Sequence, residues 1–132
     1  MMKPERLVVG VVMECQPLSS KWASFSWEAR GVLASRVTAP GRRVLIEDES
    51  ARQVLFDGCV IELHRDEAEG YYLNLNAPQP KVFVMWRMQG EEPQPHSVTV
   101  SYHEAARLLD AGEQVDAVAM PVGMAHWIAG FV

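Results

Sequence analysis

Residues 54–75, VLFDGCVIELHRDEAEGYYLNL, decide how the rest of the chain is read. Asp57-Gly58 lies between two apolar runs, Val54-Leu55-Phe56 and Cys59-Val60-Ile61. A two-residue type I′ turn needs positive φ at both central positions, which Asp-Gly tolerates, so the spacing predicts a β-hairpin. Around that turn Phe56 faces Cys59, Leu55 faces Val60 and Val54 faces Ile61. Beyond Ile61 the residues Glu62, Leu63 and His64 alternate in polarity, and 65–70 form a charged turn. Residues 71–76 return with Tyr71, Leu73 and Leu75 on one face and Tyr72, Asn74 and Asn76 on the other. The stretch reads as two consecutive hairpins with one buried face.

Upstream, Leu7 to Met13 is apolar on both parities, as a strand covered on both faces would be. Residues 25–33 alternate, with Phe25, Trp27, Ala29, Gly31 and Leu33 facing one way, which predicts a half-buried strand. Ala39-Pro40-Gly41 marks a turn before the short strand Val44-Leu45-Ile46. Downstream, Pro78 and Pro80 break the chain before a strand over 82–88, in which Val82, Val84, Trp86 and Met88 share a face. Residues 89–95 read as a polar loop and 98–100 as a short strand. Ser101-Tyr102-His103-Glu104 fits a capping box opening a helix, and Gly112 supplies a left-handed stop. Residues 115–119 form a short strand. Pro121 then starts a last helix with Met124, Trp127, Ile128 and Phe131 on one face. Strands followed by helices predict an α+β fold: a mainly antiparallel, strongly curved sheet or half-barrel with two C-terminal helices packed on it.

The 132 residues suit one domain, 1–132, large enough to fold without a metal or disulfide. A formal net charge of −5 argues against a general nucleic-acid binder. The apolar run after Lys3 and Arg6 ends at Glu14 without a cleavage site, and no run reaches the roughly 20 apolar residues of a membrane span. A cytoplasmic protein is expected, with Cys15 and Cys59 as reduced, partly buried thiols.

Catalytic motifs are sparse. There is no Gly-x-Ser-x-Gly elbow, phosphate-binding glycine loop or Cys-x-x-Cys, and no cofactor is implied. The most polar cluster surrounds Glu62 and His64, which share a strand face about 7 Å apart. Glu67 or Glu69 could fold back toward them, and a His with carboxylates, with Tyr71 beside them, suits a hard-metal or acid–base site. The competing reading is a solvated strand face ending in a charged turn. His96, His103 and His126 are isolated in sequence. Four tryptophans are many for this length, and Trp22 is the one best placed for a protein-binding patch.

Several blocks together resemble an uncharacterised bacterial family, domain of unknown function 3305. They are Leu7-Val8-Val9-Gly10-Val11-Val12, Trp22 and Trp27, Glu62-Leu63-His64-Arg65, Glu67, Glu69, Tyr71 and Asn74-Leu75. Pro80, Val82, Val84, Glu104-Ala105, Gly112-Glu113, Met120-Pro121, Trp127 and Phe131-Val132 extend the likeness. Cys15-Gln16 departs from it, since members often carry basic residues after the first strand. The resemblance carries no catalytic residue. It implies association with genes of molybdenum-dependent formate dehydrogenase. The resulting expectation is a non-catalytic accessory protein that binds a formate dehydrogenase subunit or maturation factor. The alternatives are a small-ligand- or metal-binding enzyme domain using the Glu62–His64 face, and a structural oligomerising domain, for example a homodimer paired through an unpaired strand edge such as 82–88.

Overall fold

A computed structural model describes residues 5–17 and 25–132; Trp22 lies outside them. The first four strands, β1 (Glu5–Pro17), β2 (Phe25–Ala34), β3 (Gly41–Glu47) and β4 (Arg52–Leu63), make one antiparallel sheet in the order β2-β1-β4-β3. A 3-10 turn, Arg65–Glu67, leads into α1 (Ala68–Leu75). Then follow β5 (Lys81–Gln89), β6 (Glu92–Thr99), α2 (Tyr102–Asp110), β7 (Gln114–Ala119) and α3 (Val122–Phe131). Strands β5 to β7 form a second antiparallel sheet in the order β6-β5-β7.

The α+β class is as the sequence predicts, but the half-barrel is not. The strands divide between two separate sheets because the chain leaves β4 into a helix instead of a second hairpin. Among the described residues three α-helices form, and α1 takes the place of the expected strand over 71–76. Tyr71, Asn74 and Leu75 stand at i, i+3 and i+4, a spacing that suits a helix as well as the alternation suits a strand. Tyr71 and Asn74 are fully buried, whereas Leu73, expected inside, is exposed. Asn74 accepts from the Lys81 N–H (2.9 Å) and donates to the carbonyls of Lys81 (2.7 Å) and Val100 (2.9 Å). It thereby ties α1 to the starting end of β5 and the finishing end of β6.

Asp57-Gly58 is a bulge, not a turn. β4 runs straight through it, pairing Phe56 with Val11 and Cys59 with Val9, so two residues oppose Gly10 alone. The extra residue reverses the alternation, which is why Phe56 and Ile61, five apart, both reach the core. Gly58 has φ +76°, and a Cβ there would meet the Ala39–Pro40 backbone at 2.6–2.8 Å. That backbone is the arch joining β2 to β3, which lie at opposite edges of the sheet. A similar shift in β2 makes Arg30 the extra residue, so Ala29 and Val32 point inward and Leu33 points out.

β1 is central, as its two-sided apolarity predicts, with Val9, Val11 and Met13 buried. These residues join Val54, Phe56, Ile61 and Leu63 of β4, Val82, Val84 and Trp86 of β5, and Met124 and Ile128 of α3 in one core cluster. Asp116 of β7 links the sheets: its Oδ2 accepts from the Ala29 N–H (2.9 Å) and the Trp86 indole N–H (2.8 Å). The segment 89–95, expected as a loop, is mostly strand. The chain turns at Gly90, and β6 carries Pro93 and Pro95 as an edge strand can. β5 is the middle strand of its sheet, paired with β6 over 83–89 and with β7 over 81–86, so 82–88 is not the free edge that the sequence suggests. Cys15 and Cys59 are free thiols, the first buried and the second half-buried. No helix among the described residues is long and apolar enough to cross a membrane.

Candidate functional site

Past Asp57 the edge of β4 has no β3 beside it, because the β3 ladder stops there. Along that uncovered part β4 faces β6, and a cleft of about 220 Å³ opens between them. Its lining is Val60, Glu62 and His64 from β4, His96, Ser97 and Val98 from β6, and Glu104 from α2. His96 is there because β6 bulges: Trp86 pairs with Pro95 and Met85 with Ser97, leaving His96 as the extra residue. Bulges re-aim side chains in this way.

Glu62 and His64 do share a face, with His64 Nε2 3.5 Å from Glu62 Oε2. Arg6 Nη2 donates to the other carboxylate oxygen at 2.9 Å. Tyr71 stands behind the site, its hydroxyl oxygen accepting from the His64 backbone N–H at 2.8 Å. Burial pushes the Tyr71 phenol above its ordinary pKa, and nearby carboxylates add to this, so the hydroxyl stays neutral.

Glu67 and Glu69 lie elsewhere. Glu67 sits at the junction of α1 and α2, accepting from the Ser101 hydroxyl (2.6 Å) and from Arg107. Burial alone would raise its pKa, but these two donors outweigh it and hold the carboxyl below the usual range. Glu69 is exposed, with one oxygen 3.7 Å from His103 Nε2. The folding-back of both acids toward His64 is therefore a misreading, and its physical reason is α1: a helix points them toward α2 instead of along β4.

Ser101 caps α2 by accepting from the Glu104 N–H at 3.1 Å, as its sequence position predicts. The reciprocal half of the capping box does not form. The Ser101 N–H donates to Thr99 Oγ1 (3.1 Å), and the Thr99 hydroxyl donates to Glu104 Oε2 (3.1 Å). Glu104 is thus turned toward the cleft. It and His96 are the members that the sequence reading missed. Glu104 was occupied there by its capping role, and His96 fell between the segment read as loop, 89–95, and the strand read over 98–100.

Chemically the cleft offers two carboxylates, two imidazoles and a hydroxyl, a set suited to acid–base work or to binding a cation. Among the described residues no three His, Cys, Asp or Glu side chains stand so as to hold a metal ion.

No curated protein and no solved structure matches the chain. The model of one family does match, over residues 8–132, nearly the whole length. The chain belongs to that family, described as protein of unknown function (DUF3305).

Proposed function

We propose that the chain is a non-catalytic cytoplasmic accessory domain that binds a partner protein. One observation carries this reading: Val44, Leu45 and Ile46, consecutive on edge strand β3, are 41%, 46% and 39% exposed. Contiguous exposed apolar side chains at a sheet edge are a feature of contact surfaces. Leu45 is the extra residue of a bulge, with Val44 paired to Val54 and Ile46 to Gln53. The bulge and the neighbouring Arg42 and Arg43 protect the edge from indiscriminate strand pairing. A partner would therefore read side chains here more than backbone. The partner we assign is a subunit or maturation factor of a molybdenum formate dehydrogenase, on the resemblance described above.

Native capture of the tagged protein from its host tests both statements. Wild type should enrich such a subunit or factor over a Leu45→Ser/Ile46→Ser variant, whose changes lie outside the core. Equal capture by the variant would move the contact surface off β3, and no enrichment of either class of protein would end the reading. The alternative, a small-ligand site at the Glu62–His64 face, is favoured by the cleft itself.

A further inference from the structure

The cleft between β4 and β6 differs in charge and size from the apolar β3 surface. Two of its lining residues, Glu62 and Glu104, are acidic, and none is Lys or Arg. His64, His96 and Ser97 add atoms that can accept as well as donate hydrogen bonds. Its volume, about 220 Å³, is below the roughly 300 Å³ at which cofactor-sized sites begin. One side chain or a small cation fits that space. Among the described residues no three possible ligands are grouped to hold a metal ion. Acceptors contributed from β4, β6 and α2 instead suit a planar guanidinium, whose N–H groups diverge in a fixed fork. One guanidinium is already drawn to the rim, where the largely exposed Arg6 reaches Glu62 Oε1. Within the cleft Glu104 uses Oε2 toward Thr99, and among the described residues no donor meets its Oε1.

Building on the protein-binding reading above, we propose that this cleft is an anchor pocket for an arginine side chain of the partner protein, held between Glu62 and Glu104. Its place in the fold supports this. β3 occupies the edge of β4 as far as Asp57, and the cleft opens on the same edge from Val60 onward. A partner lying on β3 reaches the pocket by continuing along one strand.

The probe is N-acetyl-arginine amide, titrated against the full chain while the imidazole resonances of His64 and His96 are followed by NMR. N-acetyl-citrulline amide, which has nearly the same shape without the charge, is the control. Saturable shifts with the arginine probe, absent with citrulline, are expected. Glu62→Gln or Glu104→Gln should weaken binding about tenfold, the worth of one charge-assisted hydrogen bond. Equal binding of citrulline, or no saturation with arginine, would overturn the pocket without any variant having to fold. Capture of the partner should also weaken in the Glu62→Gln/Glu104→Gln double variant. Undiminished capture would overturn the anchor while leaving the protein-binding reading intact. Arginine binding without any captured partner would overturn the partner's part in it and leave a site for free guanidines.

Discussion

Replacing Asn74 with leucine removes three hydrogen bonds while keeping the branching at Cγ, although leucine is the larger side chain. The Val100 carbonyl is wholly buried and the Lys81 N–H and carbonyl are half-buried, so water can reach at most part of what is left. An unpaired buried polar group costs roughly 1–3 kcal/mol. Allowing for partial solvation at Lys81, the loss should be about 3–5 kcal/mol, a large share of the 5–15 kcal/mol typical of a whole domain. For 132 residues each kcal/mol moves Tm by roughly 3–4 °C, so the midpoint should fall by about 10–18 °C. Asn74→Asp separates the hydrogen-bond account from packing. Its carboxylate would face two carbonyl oxygens in a dry site, which raises its folded pKa above the unfolded value. The native state then binds the proton more tightly. The penalty is small below about pH 4 and grows as pH rises toward the raised pKa. Urea and thermal unfolding followed by tryptophan fluorescence at pH 5 and pH 8 would measure both effects. A leucine variant within 1 kcal/mol of wild type, or an aspartate variant equally destabilised at both pH values, would refute the reasoning.

Gly58→Ala should cost more than about 2 kcal/mol, because a Cβ at φ +76° runs into the Pro40 backbone. Gly90→Ala, at φ +70° with open space around it, should cost about 1 kcal/mol, and calorimetry that fails to rank the two this way removes the role given to the arch. Glu67, Glu92 and Glu113 all have pKa values held below the ordinary range. For Glu92 and Glu113 the largest cause is the Arg42 or Arg87 hydrogen bond; for Glu67 the Ser101 and Arg107 bonds outweigh the opposing effect of burial. Depressed carboxylates stabilise the fold above their unfolded pKa, near 4.3, and that contribution is lost as pH falls through the folded value. Arg107→Met should therefore be less stable than wild type at pH 7, by a margin that narrows as pH falls through the depressed Glu67 pKa; a gap that stayed constant into acid would deny the pairing. Burial raises the pKa of both thiols, opposed at Cys15 by the Ser26 backbone and reinforced at Cys59 by Asp57. Native protein should accordingly resist alkylation at pH 7, with Cys59 labelled before Cys15, and rapid loss of both thiols would contradict their placement.

The strands at 25–33 and 82–88 and the helices begun by Ser101 and Pro121 were legible because each has a periodicity or a start signal that fixes its type, and 7–13 because its apolar run is unbroken. The Asp57-Gly58 pair was not. The same dipeptide serves a turn or a bulge, and what selects the bulge is distant: Gly10 across the ladder and Pro40 in the arch. Residues 71–75 are too few to separate a period of two from one of 3.6, and Asn74, the residue that decides, looks polar and therefore outward. Half of the candidate site was visible for a related reason. Glu62 and His64 are two apart on one strand, whereas His96 and Glu104 arrive from other elements through a bulge and a helix cap.

The two sheets are drawn from separate halves of the chain, the first ending at Leu63 and the second completed only at Ala119. During synthesis the four-stranded sheet is therefore fully translated while its cover is still unmade. At about 5–20 residues per second, the 56 residues between Leu63 and Ala119 take roughly 3–11 s. Until that interval ends, Val9, Val11, Met13, Val54, Phe56, Ile61 and Leu63 lack the complete second sheet, and α3 follows later still. A nascent chain arrested at residue 80 should bind a holdase chaperone, and one released at residue 132 should not. Equal chaperone binding by the two would refute the idea that the first half waits with its apolar face uncovered. On this topology the yield of soluble protein depends on how fast the second half is translated as well as on the stability of the finished fold.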